Sequence, residues 1–136
     1  RSIPRPGHAD WVAHQKFSGN EDYRGGGHFS ARLTTGLVAA GAIAKKLMPY
    51  INVTANVTQI GGETDLEKGL QKAIDAKDSV GGIVECKVTG VPVGLGEPYF
   101  DSVESLIAQM MFTIPAVRGV EFGTGFAAAK MFGSEH

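Results

Sequence analysis

Apolar and polar residues alternate most regularly in the middle of the chain. Between residues 51 and 58, apolar Ile51, Val53, Ala55 and Val57 are separated by polar Asn52, Thr54, Asn56 and Thr58. A period of two residues is typical of a strand with one buried face, so a strand is predicted here. A second strand is predicted over residues 83–91, where Val84, Cys86 and Val88 share one face. We expect Cys86 to be a small core residue, and a short third strand is predicted over residues 117–122.

Apolar residues at helical spacing predict four shorter helical segments. These cover about residues 9–17, 65–76, 102–112 and 126–131. Thr64 or Asp65 is positioned to cap the second segment, and Pro115 follows the third. Two prolines and two glycines between residues 91 and 98 predict an irregular loop.

A longer helix is predicted from Ser30, as N-cap, to about residue 48, where Pro49 ends it. Residues 33–44 carry no charge and are rich in Gly and Ala. A helix that is apolar on every side is a buried one, and the segment is shorter than the roughly 18 residues that span a bilayer. We therefore expect this helix to lie in the interior of a larger assembly.

The 136 residues, 43% of them hydrophobic, suffice for a single domain with a modest core. The predicted helices alternate with strands that are polar on one face. This order favours the α+β class over a doubly wound parallel sheet.

Net charge limits the classes of binding partner, and the cysteine count indicates the redox compartment. A formal net charge of −1 gives no general electrostatic reason to bind nucleic acid or an anionic membrane. The single cysteine excludes an intramolecular disulfide framework and suits a reducing cytosol. The first six residues lack the apolar segment of a signal peptide. The chain does not begin with Met, and it stops abruptly at His136.

The densest candidate chemistry follows a run of three glycines at residues 25–27, which leads into His28-Phe29-Ser30-Ala31-Arg32. Glycine allows backbone N–H groups to converge, and a helix start adds unsatisfied donors. Arg32 can hold a phosphate or carboxylate through two hydrogen bonds. The segment therefore predicts a cradle for an oxyanion; the alternative is a mobile turn followed by an ordinary N-cap.

His8 follows a glycine at a predicted helix start, so its ring is expected to be accessible. An anionic ligand nearby would favour its charged form and suit it to acid catalysis; the alternative is a solvent-exposed or capping histidine. His8 and His14 are six residues apart and no cysteine pair assists them, so no metal site is expected.

These segments resemble the chorismate synthase family. The resemblance rests on residues 5–10 (RPGHAD), 22–27 (DYRGGG) and 30–32 (SAR). It continues, in the family's order, at residues 39–46, 78–82, 89–98, 114–121, 125–128 and 133–136. It implies a sheet packed on a helical core, as part of a β-α-β sandwich with antiparallel pairing.

The resemblance implies a lyase of the shikimate pathway, which leads to the aromatic amino acids. Such an enzyme converts 5-enolpyruvylshikimate 3-phosphate to chorismate by anti-1,4-elimination of phosphate, and it needs reduced FMN that is not covalently bound. The family is cytoplasmic and homotetrameric, and no nucleic-acid or membrane partner is implied.

The resemblance also assigns roles. It implies that His8 and Arg32 are catalytic and that Ser30 and Arg32 approach the substrate phosphate. The implied cofactor-binding residues are His8, His28, Phe29, Ser30 and Ala31. His28-Phe29 stands where many members have Arg-Ser, and Leu33 where many have Glu; we expect Phe29 to pack.

Two parts of the family pattern are missing: the N-terminal Gly-Glu-Ser-His-Gly block and the C-terminal flavin-binding segment. The parent protein is therefore expected to be the lyase, and this chain alone to be inactive. The competing class is a non-catalytic phosphate- or nucleotide-binding module, or a scaffold that uses its apolar helix as an interface.

Overall fold

The computed structural model describes residues 3–22 and 24–136; Tyr23 of the DYRGGG segment lies outside them. The helices are α1 (Asp10–Lys16), α2 (Thr34–Leu47), α3 (Leu66–Ala76) and α4 (Val103–Met111), and the strands are β1 (Asn52–Ile60) and β2 (Gly82–Thr89). Short 3-10 turns lie at Gly27–Phe29, Ala31–Leu33, Tyr99–Asp101 and Gly125–Lys130. Helices with an antiparallel sheet confirm the α+β class.

The chain divides into two compact units. One comprises the residues up to Gly41 together with Gly96–His136, and the other is Ala42–Leu95. The first unit carries the glycine turn and His8, and the second carries the sheet.

The two strands pair antiparallel with their apolar residues in register. Val53 faces Val88, Ala55 faces Cys86 and Val57 faces Val84. Since side chains of one face recur every second residue, these six form one apolar face of the sheet. The register shifts between Val57 and Gln59.

Helix α3 packs on β1 through Gly69. A Cβ at Gly69 would lie 2.9 Å from the carbonyl carbon of Ile60 and closer still to its oxygen, so only glycine permits this approach. The helix begins where the Asp65 carboxylate accepts the Lys68 N–H at 3.1 Å, which confirms the predicted cap. It ends at Ala76, and Lys77 follows in a left-handed conformation.

Helix α2 begins later than predicted. The Ser30 hydroxyl caps the 3-10 turn Ala31–Leu33 by accepting the Arg32 N–H at 3.4 Å, and the α-helix starts only at Thr34. Its end at Leu47, two residues before Pro49, is as predicted. No residue of α2 is buried; Val38 is 71% and Ile43 61% exposed. Burial of α2 in a larger assembly stays a prediction.

Two further predictions are wrong for this chain. Cys86 is exposed rather than buried, because the apolar sheet face that carries it is open: Val84 on the same face is 63% exposed. Residues 117–122 form no strand. A strand needs a hydrogen-bonded partner, and within the described residues the sheet consists of β1 and β2.

The chain buries little of its apolar surface. Its accessible surface is 11372 Å², whereas a folded monomer of this mass exposes about 6,800 Å². Among the described residues, Ala13 is the one buried hydrophobic side chain. No helix in residues 3–22 or 24–136 combines the length and apolarity that crossing a membrane requires.

Candidate active site

The site is built on an ion pair between Arg5 and Asp10. Arg5 donates to the Asp10 carboxylate from Nε at 2.8 Å, from Nη2 at 2.8 Å and from its backbone N–H at 3.0 Å. Two parallel guanidinium contacts of this kind are strong and orient both groups. The hydrogen bonds from Arg5 keep the pKa of Asp10 well below its usual range, so the carboxylate stays ionised.

His8 completes this group, which we call the His8 cluster (Arg5, His8 and Asp10). The His8 Nδ1 atom lies 2.7 Å from Asp10 Oδ1, and Arg5 Nη2 lies 3.1 Å from Nδ1 and 3.2 Å from Nε2. The His8 side chain is 26% exposed. Its ring rests against Gly26, where a Cβ would lie 3.0 Å from both Cε1 and Nε2.

The three glycines adopt a left-handed conformation, which glycine takes without steric cost, with φ of 62° at Gly25, 87° at Gly26 and 52° at Gly27. The turn also uses several of its own donors: the N–H groups of Gly27, Phe29 and Ser30 donate to the carbonyls of Arg24, Gly26 and Gly27 at 3.0–3.2 Å. An oxyanion bound here would therefore depend on other donors, and side-chain cations become more important.

Asp22 fixes the start of this turn. Its carboxylate accepts the backbone N–H of Arg24 at 3.0 Å and Nε of Arg24 at 2.9 Å. These hydrogen bonds lower the pKa of Asp22, and the positive charge of Arg32 contributes a smaller lowering. Arg32 is exposed, and the described part of the chain shows no ion pair for it.

A cavity of about 150 Å³ lies beside the glycine turn. Its walls include Trp11, His14, Glu21, Gly26, His28 and Phe29. His14 Nδ1 lies 2.9 Å from Glu21 Oε1, and this hydrogen bond lowers the pKa of Glu21. The other oxygen, Oε2, is shielded from solvent and has no hydrogen-bond partner within the described residues.

The rings of His28 and Phe29 pack against each other with centroids 4.2 Å apart, and Phe17 contacts both. Phe29 therefore packs, as expected. An aromatic wall together with one sheltered acceptor suits a flat heterocycle that carries N–H donors, and the isoalloxazine of FMN is such a group. The residues present fit that cofactor.

The structure brings only part of the predicted set together. His28 and Phe29 line the cavity, and His8 touches its wall at Gly26. Ser30, Ala31 and Arg32 follow in the 3-10 turn and do not line it. Within residues 3–22 and 24–136, no three His, Cys, Asp or Glu side chains are grouped to hold a metal ion.

Sequence reasoning assigned no role to Arg5, Asp10 or Glu21. The available signal was their spacing: Asp10 lies two residues and Arg5 three residues from His8. Glu21 had no such signal, because its partner His14 lies seven residues away across a loop.

Comparison with known proteins matches this chain to one family. The family model described as chorismate synthase matches residues 1–136. A Chitinophaga pinensis protein named chorismate synthase is 65% identical over 100% of this chain and 41% of its own length. Proteins of the same name from Korarchaeum cryptofilum and Dehalococcoides mccartyi are 46% and 42% identical over 98% and 100% of this chain, and 45% of their own lengths. The chain thus spans less than half of these relatives, and it belongs to the chorismate synthase family.

Proposed function

We propose that the full-length protein carrying this segment converts 5-enolpyruvylshikimate 3-phosphate to chorismate with reduced FMN. The observation that carries the proposal is the family match over all 136 residues. The His8 cluster and the aromatic cavity beside the glycine turn support it, because they supply an oriented imidazole next to a surface that suits a flat ring.

The reaction breaks one C–H bond and one allylic C–O bond of the substrate. The proton and the phosphate leave, a conjugated double bond forms, and no net oxidation occurs. Reduced FMN, when bound, supplies electron density that helps the C–O bond to break. The residues of this chain bind the phosphate, hold the ring-binding surface and manage a proton.

His8 is the proton-handling residue of the proposal. Its Nδ1 atom contacts the Asp10 carboxylate, while Nε2 lies next to Gly26. A histidine fixed on one side and available on the other is suited to hold or deliver a proton.

Arg32 and Ser30 are the proposed phosphate ligands. Arg32 is exposed, so its guanidinium can meet the departing phosphate with two hydrogen bonds. The Ser30 hydroxyl accepts from the Arg32 N–H through a long 3.4 Å contact and can still donate to a phosphate oxygen. Ala31 connects the two.

The chain is proposed to work only as part of the longer, homotetrameric cytoplasmic enzyme. It leaves the apolar sheet face and α2 uncovered, which fits segments completed by other parts of a larger assembly. We expect the 136-residue chain alone to be inactive and to bind FMN weakly or not at all.

The test compares the full-length protein with the 136-residue chain, each given reduced FMN and 5-enolpyruvylshikimate 3-phosphate without oxygen. Chorismate from the full-length protein only, with a flavin spectral change that requires both ligands, is the expected result. No chorismate from the full-length protein would overturn the proposed function. Sulfate binding without any substrate-dependent flavin change would instead favour a simple anion-binding module.

A further inference from the structure

The Arg5–Asp10 pair has a chemical consequence for the proton on His8. An ionised carboxylate can only accept hydrogen bonds, and a guanidinium can only donate them. With Nδ1 of His8 at 2.7 Å from Asp10 Oδ1, Nδ1 must carry a hydrogen. Nε2 is then unprotonated in the neutral ring, and its in-plane lone pair stays available, because Arg5 Nη2 lies at nearly equal distances from the two ring nitrogens, 3.1 Å from Nδ1 and 3.2 Å from Nε2.

We propose that Asp10 is a positioning residue that fixes His8 in the Nδ1–H tautomer and so makes Nε2 the atom that exchanges a proton. This inference rests on the proposed function for its catalytic consequence. Asp10 does not touch the reacting groups; it acts through His8.

The surroundings of His8 are suited to this role. Among the described residues, Arg5 and Asp10 are the charged groups in contact with the ring, and Gly26 of the glycine turn lies against it. The pKa of Asp10 is held far below neutrality by Arg5, so Asp10 stays an acceptor across the working pH range. Arg5 holds Asp10 through Nε and its backbone N–H, so the carboxylate stays in place beside Nδ1 when Nε2 takes a proton.

The direct test is the protonation pattern of the His8 ring. In the full-length protein labelled with ¹⁵N, long-range ¹H–¹⁵N spectra separate a protonated from an unprotonated ring nitrogen, and His8→Gln identifies the signals by their loss. In the neutral ring of the wild type, we expect a protonated Nδ1 and an unprotonated Nε2. A protonated Nε2 there would overturn the inference without any variant.

Asp10→Asn then removes the charge while keeping the shape. Its amide can donate as well as accept, so both tautomers become available and the two ring ¹⁵N shifts should move toward each other. Asp10→Glu and Arg5→Lys keep a carboxylate and should retain the wild-type tautomer. The matched control is Asp75→Asn, at an exposed aspartate of α3 whose carboxylate accepts from Gln71. If the two His8 ring ¹⁵N shifts of Asp10→Asn are the same as those of the wild type, the inference is contradicted.

The kinetics of Asp10→Asn distinguish a positioning role of Asp10 from a purely structural one. Asp10→Asn should lower kcat by about tenfold to 100-fold, within the range that acid–base catalysis contributes, while KM for the phosphorylated substrate changes less than about twofold. If the wild type makes no chorismate, the proposed function fails, but the ring shifts still test the tautomer. If the wild type is active and Asp10→Asn keeps its kcat, the positioning role fails alone.

Discussion

Gly26 lies so close to His8 that a methyl group on it would be 3.0 Å from both Cε1 and Nε2 of the imidazole. Contacts this short require one of the groups to move. The glycine turn and the histidine of the His8 cluster therefore form one structural unit, although 17 residues separate them in the sequence and each was predicted by itself.

Gly26→Ala in the full-length protein should displace the imidazole and lower its activity. The matched control is Gly25→Ala, because Gly25 also has a positive φ, of 62°, but a Cβ there would lie in open space. Both variants carry the backbone strain of about 1 to 2 kcal/mol, whereas only Gly26→Ala adds the contact. Denaturant unfolding and His8 ring ¹⁵N shifts measure the two effects. Equal stability losses and unchanged His8 shifts in both variants would show that the contact is unimportant.

The periodicity of the sequence predicted the parts of the fold that depend on local pattern. The strand over residues 51–58, the Asp65 cap and the end of α2 were predictable because they follow from side-chain period and capping chemistry. Burial was not predictable, because whether Cys86 is covered depends on groups that the local pattern does not contain.

The site was predictable only at the level of residue types. The glycine turn and His8 stood out in the sequence, and the glycines adopt left-handed conformations. The contacts that orient His8 could not be derived, since they depend on how residues 5–10 fold back to place Arg5 on Asp10. The turn's use of its own N–H groups likewise depends on conformation rather than composition.

Gly69→Ala should destabilise the protein although alanine is the better helix former. A Cβ at Gly69 would collide with the Ile60 backbone, and overpacking of this kind costs about 1 to 3 kcal/mol. The control is Gly36→Ala in α2, where the Cβ would meet open space and about 1 kcal/mol of helix propensity is gained. Both are measured by denaturant unfolding of the 136-residue chain. A stabilising Gly69→Ala would contradict the packing of α3 on β1.

The same Gly36→Ala change tests whether α2 is buried in the full-length protein. If a neighbour packs tightly against α2 there, the substitution that stabilises the 136-residue chain should destabilise the longer one. Stabilisation of both would argue that the small residues of α2 serve no close packing.

Acid should weaken the second unit through Glu63. Hydrogen bonds from Lys72, and then from Lys68, lower the pKa of Glu63 below its ordinary value. A carboxyl whose folded pKa is depressed stabilises the fold fully above its unfolded pKa of about 4.3 and loses that contribution as the pH falls further. Glu63→Gln should therefore flatten the decline of the unfolding midpoint between about pH 5 and pH 3.

Two controls accompany the Glu63 measurement. Glu97→Gln, at an exposed loop glutamate, should leave the pH profile of the midpoint unchanged. High salt should shrink the Glu63 effect, since exposed ion pairs are screened. A profile for Glu63→Gln as steep as the wild type would show that the two lysines do not stabilise the ionised form.

The 136-residue chain should self-associate in solution. Val38 and Ile43 of α2 are 71% and 61% exposed, and exposed apolar surface favours association. Light scattering should show a mass that rises with concentration, and Val38→Lys with Ile43→Lys should reduce it. Asn56→Lys, on the polar face of β1, adds charge without removing apolar surface and serves as the control. A monodisperse wild-type monomer would contradict this expectation.

Arg32→Lys tests whether the proposed phosphate contact needs only the positive charge of Arg32 or also the two hydrogen bonds of its guanidinium. Lysine keeps the positive charge but cannot form two parallel hydrogen bonds to a phosphate. Loss of a charge-assisted hydrogen bond of about 1.5 to 3 kcal/mol corresponds to about tenfold to 100-fold in kcat/KM of the full-length enzyme. Arg24→Lys is the informative comparison, because Arg24 is engaged by Asp22 at 2.9 Å on the same turn. If both variants lose activity equally, the turn rather than the Arg32 guanidinium is responsible; if only Arg32→Lys does, the loss lies in phosphate binding.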